Sequence, residues 1–550
     1  MLLFIAVWLI ASYLLGLYLT RVYSGQMTFL APLEKFAYSV GGIEEKEMGF
    51  KSYLKSLLLF NGIGFLFLLL ILLLQGVLPL NPESFSSLDF PLAFNIASSF
   101  VTNTNWQSYA GETTLSYFSQ TAGLTVQNFL SAATGMTVLL ALIRGFTRKT
   151  SETIGNFWVD LTKTLLYVLL PLSIILSVLL VMEGSLQTFS PYQEIVTLEG
   201  AVEKIPLGPV ASQVSIKQLG SNGGGFFNTN SAHPFENPTP ISNFLETLAI
   251  LLIPTASVFM YGNLVGSKKQ SFVILGVMFF LWLLGLCISL YSEQLPNPAL
   301  GINSAWEGKE VRFGVHNTLL WSVSTTATSN GSVNGMMSSL SPLAGGVALF
   351  NILLGEMIFG GVGVGLASFI MFIMLTVFLS GLMVGRTPEY LGKKIEKNEM
   401  QWNVLAILVP SACILLGFSI SAYLPFALSS VSHQGPHGLT ELLYAFASAS
   451  GNNGSAFAGI SANTDYFNLF LGLIMIACRL AIIIPTLAIA SYLVKKKKTP
   501  ETSGTLSTES ILFAILLSGI IIIVGALTFF PALSLGPIME HLLMQEGRVL

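Results

Sequence analysis

The stretch Ser221-Asn222-Gly223-Gly224 follows a short apolar segment of helical composition and lies outside every predicted membrane span. Short motifs of Gly, Asn, Ser and Thr occur in the same setting in three other parts of the chain. The four motifs are Asn103-Thr104-Asn105, Ser221-Asn222-Gly223, Ser329-Asn330-Gly331 and Asn452-Asn453-Gly454. They recur at intervals of 118, 108 and 123 residues, which indicates one ancestral unit repeated four times.

The residue types in these motifs are those of an ion filter made from main-chain carbonyl groups. Gly adopts positive φ at no steric cost, and Asn does so more readily than most residues. Because carboxylates are absent from all four motifs, a calcium or magnesium site is disfavoured, whereas potassium filters rely on carbonyl dipoles. Four such loops around one axis therefore predict potassium conduction. The alternative is that SNGG and NNGS are ordinary turns in outer loops.

The composition is that of a polytopic membrane protein. Of 550 residues, 53% are hydrophobic and 10% are charged, against roughly 25% charged in a soluble protein. The net charge of −3 gives no reason to expect a nucleic-acid partner. Cys287, Cys413 and Cys478 all lie in apolar runs and imply neither a disulfide framework nor a zinc site. The apolar run that begins at Met1 has no positive n-region, so we expect a retained span.

Ten runs reach the ~20 apolar residues that a transmembrane helix needs. They are 2–20, 54–76, 121–143, 160–183, 241–265, 271–291, 361–385, 402–424, 467–494 and 511–533. The predicted fold is an all-α polytopic membrane protein with four channel-like repeats of span, pore helix, filter and span. The repeats are arranged pseudo-fourfold around one pore, and one extra span lies at each end. The boundaries are 1–50 for the N-terminal span and its loop, 51–150, 151–266, 267–398 and 399–498 for repeats 1 to 4, and 499–550 for the C-terminal span.

Each repeat also contains a helix that is too short to cross a bilayer and ends just before its motif. The predicted pore helices are Leu92–Thr102, Ser212–Leu219, His316–Ala327 and Leu439–Ala449. The negative end of each helix dipole would therefore point at the filter and favour a cation there.

Basic residues alternate between the two sides of the predicted spans. Nineteen Lys and Arg residues fall in one set of loops and five in the other. The positive-inside rule makes the basic loops cytoplasmic, which places the four motifs and both termini outside. The run Lys495 to Lys498 suits either anionic lipid or a partner protein.

Four charged residues call for a reason. Arg479 lies in the middle of a span, where an Arg costs about 2.5–3.5 kcal/mol on insertion scales. Below the filter it would repel cations from a straight path, and the alternative is a structural Arg bonded to carbonyls. Glu356 lies in a glycine-rich run that predicts a broken, movable, gating helix, with a tightly packed helix face as the alternative. Arg386 begins a basic loop and is either a simple topogenic charge or part of a docking surface. Glu246 is expected at the membrane interface.

The motifs and their neighbourhoods resemble those of the potassium-translocating A subunit of the bacterial Kdp ATPase, a family in the superfamily of four-repeat potassium transporters. The resemblance covers the whole chain. It is carried by FVTNTNWQSYAGE from Phe100, LGSNGGGFFNTNSAHPFENPTP from Leu219, TATSNGSVN from Thr326, GRTPEYLGKKIE from Gly385 and SGNNGSAFAG from Ser450. It implies that Asn103, Thr104 and Asn105, with Gln107 close by, form the first filter strand. The other three motifs would form the remaining strands.

The resemblance also implies partners. A P-type ATPase subunit would hydrolyse ATP and receive the potassium ion sideways through the membrane, with a single-span C subunit and often a very small F subunit completing the complex in the bacterial plasma (inner) membrane. The sequence agrees that ATP binds elsewhere, because it contains no G-x-x-x-x-G-K-[ST] loop and its basic loops are at most about 35 residues long. Potassium would be the substrate, and no organic cofactor or catalytic residue is expected.

Two other functions fit the same sequence. One is a self-sufficient potassium channel or ion-gradient-driven transporter of the same superfamily. The other is an unrelated secondary transporter, although such proteins usually carry inverted repeats, and the even number of spans per repeat makes these repeats parallel.

Overall fold

The computed structural model describes residues 1–303, 305–355, 357–385, 387–499 and 506–548. Within these residues ten helices are long and apolar enough to cross a membrane, as the hydropathy pattern predicts. They are Leu2–Tyr23, Phe50–Val77, Ser119–Thr147, Phe157–Glu183, Pro240–Val265, Lys268–Glu293, Val364–Met383, Lys397–Tyr423, Asp465–Lys495 and Ile511–Gln545.

The four predicted pore helices are present, and each begins two to four residues earlier than expected. They are Phe90–Val101, Val210–Leu219, Gly314–Ala327 and Gly435–Ser450. In each repeat one span precedes the pore helix and one follows its motif, and we call these the leading span and the trailing span. The predicted all-α fold of four channel-like repeats is confirmed.

Leading and trailing spans differ in how deeply they lie within the protein. The trailing spans are 83%, 72%, 56% and 67% buried over their most apolar windows, in the order of repeats 1 to 4. The leading spans are only 28%, 33%, 44% and 22% buried. The trailing spans therefore form the inner wall around the axis, and the leading spans form the outer surface.

The trailing part of repeat 3 is broken, as its glycines predict. A helix Pro342–Leu353 ends, and the helix Val364–Val384 begins after an irregular segment. We call residues 354–363 the break segment. Its Gly360 N–H donates to the carbonyl of Ala327 at the end of pore helix 3, at 3.0 Å. Glu356 lies outside the described residues, and the proposed mobility of the segment stays a prediction.

The two extra spans cover repeats 2 and 3. Leu2–Tyr23 packs along the trailing span of repeat 2, where Trp8 Nε1 donates to Thr255 Oγ1 at 3.0 Å. Gly16 lets the two backbones approach, because a Cβ there would come 2.9 Å from the carbonyl oxygen of Ala256. Ile511–Leu533 packs against both halves of the broken helix of repeat 3. The two additions therefore cover the trailing span of repeat 2 and the broken helix of repeat 3.

Strand structure in the described residues is limited to two antiparallel hairpins. Gln193–Val196 pairs with Val202–Ile205 near the filter end, and Glu389–Tyr390 pairs with Lys393–Lys394 in a basic loop. The second hairpin is anchored by Lys393, whose fully buried ammonium donates to three carbonyls. These belong to Arg148, Leu493 and Lys496, at 2.6, 2.8 and 2.7 Å. One side chain thus joins the ends of two trailing spans to the loop between repeats 3 and 4.

Candidate ion-conduction site

All four pore helices end in the same cap, and the motif begins inside it. The middle residue of each motif donates its N–H to the carbonyl five residues earlier, which is the 6→1 bond of a Schellman cap. These bonds are Thr104 to Ser99, Asn222 to Lys217, Asn330 to Thr325 and Asn453 to Ser448, at 2.9, 2.9, 3.0 and 2.9 Å. The first motif residues have the left-handed conformation that this cap requires, with φ of 68°, 49°, 49° and 50°.

The third residue of each motif is also left-handed. Asn105, Gly223, Gly331 and Gly454 have φ of 54°, 71°, 86° and 96°, whereas the middle residues are not in this region. Alternation of this kind turns successive peptide planes the same way, so consecutive carbonyl oxygens point to one side. Gly and Asn occupy these positions because a left-handed conformation costs other residues roughly 1–2 kcal/mol each.

Close backbone contacts join the four motifs, which we call filter strands 1 to 4, into a ring. A Cβ added at Gly223 would overlap the carbonyl oxygen of Asn330 in the next strand. The same holds for Gly331 against Asn453, and for Gly454 against Thr104. These contacts connect strands 2 to 3, 3 to 4 and 4 to 1.

Strand 1 closes the ring onto strand 2 through side chains, because Asn105 stands where the other strands have Gly. Asn103 Nδ2 donates to the carbonyl of Ser221 at 2.8 Å, and Asn105 Nδ2 donates to that of Gly223 at 2.9 Å. The order around the axis is therefore 1, 2, 3 and 4. Repeats 1 and 3 face each other across it.

Asn side chains brace each of two strands against the pore helix of the preceding repeat. Asn330 Nδ2 donates to the carbonyl of Lys217, and Asn453 Nδ2 donates to that of Thr325, both at 3.1 Å. The two acceptors occupy the same position in their helices, three residues from the end. The fourfold relation of the backbone thus extends to side chains.

The side chain of Gln107 links filter strand 1 to the segment that follows strand 2. Its Oε1 accepts from the N–H of Gly225 at 2.9 Å, and its Nε2 donates to the carbonyl of the same residue at 3.0 Å. Both functional atoms of the amide therefore bond to backbone. The side chain thus positions the segment that leaves strand 2.

Five side-chain oxygens in the filter strands are buried and accept no hydrogen bond within the described residues. They are Asn105 Oδ1, Ser221 Oγ, Asn222 Oδ1, Ser329 Oγ and Asn452 Oδ1. A buried acceptor without a partner costs about 1–3 kcal/mol, so a concentration of such atoms needs compensation. Water or a dehydrated cation at the ring would supply it.

Arg479 is buried below the filter and lines a cavity of about 220 Å³ between repeats 1 and 4. The cavity wall also includes Thr102 at the end of pore helix 1 and Ser131 in the trailing span of repeat 1. Ser131 Oγ donates to Asn103 Oδ1 at 2.8 Å. Arg479 therefore lines the same cavity as the residue that precedes filter strand 1.

The break segment reaches from repeat 3 to repeat 1, the repeat opposite it in the ring. A Cβ at Gly135 in the trailing span of repeat 1 would overlap the carbonyl of Val362 and come 3.5 Å from Arg479 Nη2. Phe359, in the same segment, is left-handed at φ 62° and fully buried. Irregular backbone thus lies below the filter, buried in protein as membrane depth requires.

Glu112 lies in the segment that follows strand 1. Its Oε2 accepts from the N–H of Asn228, in the segment that follows strand 2, at 2.9 Å. Burial raises the pKa of this carboxyl, whereas the hydrogen bond from Asn228 acts in the opposite direction. The carboxyl ties the segments that leave strands 1 and 2 to each other.

Sequence reasoning missed the charges behind the filter. Lys217 and Glu236 form a buried ion pair, and Glu246 is completely buried next to them. The expectation that Glu246 lies at the membrane interface is wrong, because it accepts hydrogen bonds from Gln218 and Ser231, both at 2.9 Å. The available signal was a Lys and two Glu in a stretch otherwise poor in charge. Arg386 lies outside the described residues.

The fold defines a four-repeat, channel-like membrane transporter. Comparison with known proteins refines this class: the chain belongs to the family of potassium-transporting ATPase A subunits, whose family model matches residues 2–542. The self-sufficient transporters of the superfamily are therefore not the favoured assignment.

Relatives in several bacteria resemble the chain over nearly its whole length. The potassium-transporting ATPase potassium-binding subunit of Leptospira interrogans is 54% identical over 550 residues, covering 100% of this chain and 98% of that protein. Its namesake in Pseudomonas syringae pv. tomato is 52% identical, covering 96% and 95%. Among solved structures, the potassium transporter TrkH from Vibrio parahaemolyticus matches with a TM-score of 0.50 and 16% identity, covering 87% of this chain and 97% of that one. At that identity the likeness concerns the fold alone.

Proposed function

We propose that this chain is the potassium-binding and translocating subunit of an ATP-driven uptake pump, and that it hydrolyses no ATP itself. The names of the relatives indicate that the ion is potassium and that an ATPase subunit is the partner. The observation that carries the proposal is the closed ring of four left-handed strands, each continuing from the C-terminus of a pore helix. Main-chain oxygens arranged in this way replace the hydration shell of a monovalent cation.

The binding residues are the four motifs. Strand 1 supplies Asn103, Thr104 and Asn105, with Gln107 fixing its neighbour, and strand 2 supplies Ser221, Asn222 and Gly223. Strands 3 and 4 supply their equivalents: Ser329, Asn330, Gly331, Asn452, Asn453 and Gly454. The negative ends of the four pore-helix dipoles add to the field of these carbonyls and favour a cation over an anion.

Below the ring, Arg479 and the break segment close the straight path along the axis. A buried guanidinium repels a potassium ion, and the break segment occupies the space between repeats 1 and 3. An ion that leaves the filter must then pass sideways between repeats. The gating role that the sequence suggests for Glu356 belongs to this proposal as well.

The ion would leave the chain toward a P-type ATPase subunit. The hairpin of Glu389–Tyr390 and Lys393–Lys394 suits docking because Lys393 holds it rigidly against the ends of two trailing spans. Arg386, three residues before the hairpin in the sequence, belongs to this proposal as a further docking residue. A single-span C subunit and a small F subunit would complete the complex.

The proposed orientation follows the basic loops, with the filter toward the outside of the bacterial plasma membrane and both termini outside. Cysteine variants in single loops, labelled from one side in intact cells, test it. Labelling of residue 199 from outside and of residue 269 only after permeabilisation is expected. The reverse pattern would invert the orientation.

The test of function compares the purified chain with the complete complex in liposomes. We expect no appreciable potassium flux through the chain alone, and ATP-dependent uptake when the ATPase subunit is present. Rapid passive flux through the chain without a partner would instead establish a self-sufficient channel.

A further inference from the structure

A buried ion pair lies directly behind filter strands 2 and 3. Lys217 Nζ is 2.5 Å from Glu236 Oε2, and the two side chains are 1% and 0% exposed. Lys217 Nζ also donates to Asn230 Oδ1 at 2.8 Å. Glu236 Oε1 accepts the N–H of Phe227 at 3.0 Å, so the loop that follows strand 2 folds back over the pair.

The main-chain carbonyl of Lys217 is a shared support for two filter strands. It accepts the N–H of Asn222 at 2.9 Å and that of Gly223 at 3.3 Å, both in strand 2. It also accepts Asn330 Nδ2 of strand 3 at 3.1 Å. The position of this one carbonyl therefore affects the spacing between neighbouring strands.

Gln218, the next residue of pore helix 2, extends the support. Its Oε1 accepts from Ser332 Oγ, directly after strand 3, at 2.8 Å. Its Nε2 donates to Glu246 Oε2 at 2.9 Å and to Ser231 Oγ at 3.2 Å. The side chains of Lys217, Glu236 and Glu246 and the amide of Gln218 thus form one network. It links pore helix 2, the loop that follows strand 2, and filter strands 2 and 3.

We propose that the Lys217–Glu236 ion pair is a positioning element for ion selection, and that it sets the distance between strands 2 and 3. This inference rests on the proposed potassium filter. The pair fixes the last turns of pore helix 2 against the loop that follows strand 2. The Lys217 carbonyl, which accepts hydrogen bonds from strands 2 and 3, then fixes both strands relative to the helix. Because carbonyl oxygens must match the size of a dehydrated ion, a small displacement alters the preference among potassium, rubidium and sodium.

The test uses the double variant Lys217→Met/Glu236→Leu in the complete ATPase complex. Removal of both partners leaves the net charge of the cluster, which includes Glu246, unchanged, whereas removal of one partner alone would leave the other as an uncompensated buried charge. The measurements are the potassium concentration for half-maximal ATPase activity, the maximal rate, and the half-maximal rubidium concentration. We expect the potassium value to rise at least tenfold and the ratio of rubidium to potassium to change at least threefold. The maximal rate should stay within twofold.

A matched control exists in repeat 3. Lys309 and Glu293 form an equally buried pair at 2.7 Å, and their further partners, the Ser339 carbonyl and Ser341 N–H, lie outside the filter strands. Lys309→Met/Glu293→Leu should leave the half-maximal concentrations within twofold of wild type. Equal effects of the two double variants, or unchanged affinity in the first, would overturn the positioning role.

A second variant keeps the inference testable if the first does not assemble. Gln218→Met removes the bond to Ser332, together with those to Glu246 and Ser231, and leaves the ion pair in place. We expect a three- to tenfold rise in the half-maximal potassium concentration. An unchanged value would overturn the proposal. A wild-type complex whose ATPase activity ignores potassium would reject the proposed function itself, which separates the two failures.

Discussion

The Cα of Gly223 in filter strand 2 packs directly against the main-chain carbonyl oxygen of Asn330 in strand 3. The contact leaves no room for a methyl group, and Gly223 is also left-handed at φ 71°. One glycine thus satisfies a conformational and a steric requirement together. Its equivalents repeat the arrangement between strands 3 and 4 and between strands 4 and 1.

Gly223→Ala should therefore lower the apparent potassium affinity of the complete complex at least tenfold and reduce discrimination against sodium. The left-handed conformation costs Ala about 1–2 kcal/mol, and the overlap displaces the Asn330 carbonyl as well. Gly331→Ala should behave similarly. Gly266 is the control, because it has φ 82° but nothing within 4 Å of an added Cβ. Wild-type affinity in Gly223→Ala would remove strand 2 from the filter.

Arg479→Ala should either leak potassium or uncouple transport from ATP hydrolysis, because the positive charge below the filter is lost. The measurements are passive rubidium flux into liposomes without ATP, and the number of ions moved per ATP hydrolysed. Arg479→Lys keeps the charge and should retain tighter coupling than the Ala variant. Normal coupling in Arg479→Ala would leave this Arg a structural role only.

Asp160→Asn should lower stability by about 3 kcal/mol, because it breaks a mostly buried ion pair. Arg144 binds Asp160 in a bidentate manner at 2.5 and 2.7 Å, and Tyr53 donates to the same carboxylate at 3.2 Å. Thermal unfolding in detergent measures the loss. Glu47→Gln, which breaks the exposed pair between Glu47 and Arg148, should cost at most about 1 kcal/mol. Similar losses in both variants would contradict this account.

The region around the start of pore helix 4 should be more stable at pH 5.5 than at pH 8. His437 Nδ1 is 2.8 Å from Glu540, and His433 and Glu441 also face this site. Burial lowers the pKa of His437, but the hydrogen bond and charge of Glu540 outweigh it, so the net pKa is raised. Protonated His437 thus stabilises the fold below its unfolded pKa of about 6.5, and this contribution is lost as pH rises through the folded value.

The measurement for this prediction is the midpoint of thermal unfolding at the two pH values. His437→Gln should shrink the difference between pH 5.5 and pH 8. A difference of wild-type size in that variant would assign the pH dependence to other groups.

Much of the fold could be predicted because a bilayer requires long apolar helices, which are easily read from a sequence. Ten apolar runs mark the spans, and pore helices too short to cross end at residues suited to left-handed caps. Glycines also predicted the break in repeat 3. These signals are local, since each depends on hydrophobicity or on the conformational freedom of one residue.

Hydropathy and the recurring motifs are enough to predict the number of spans, the fourfold repeat and the residues able to turn their carbonyls to one side. Three features become evident only in the folded chain: the order of the strands around the axis, the approach of the break segment to Gly135, and the pairing of Lys217 with Glu236. Glu246 is an example. Hydropathy predicts that a carboxylate at the end of a span faces water, but in the folded chain Glu246 is buried and accepts hydrogen bonds from Gln218 and Ser231. The partners that satisfy a buried charge come from distant parts of the chain, and no local pattern records them.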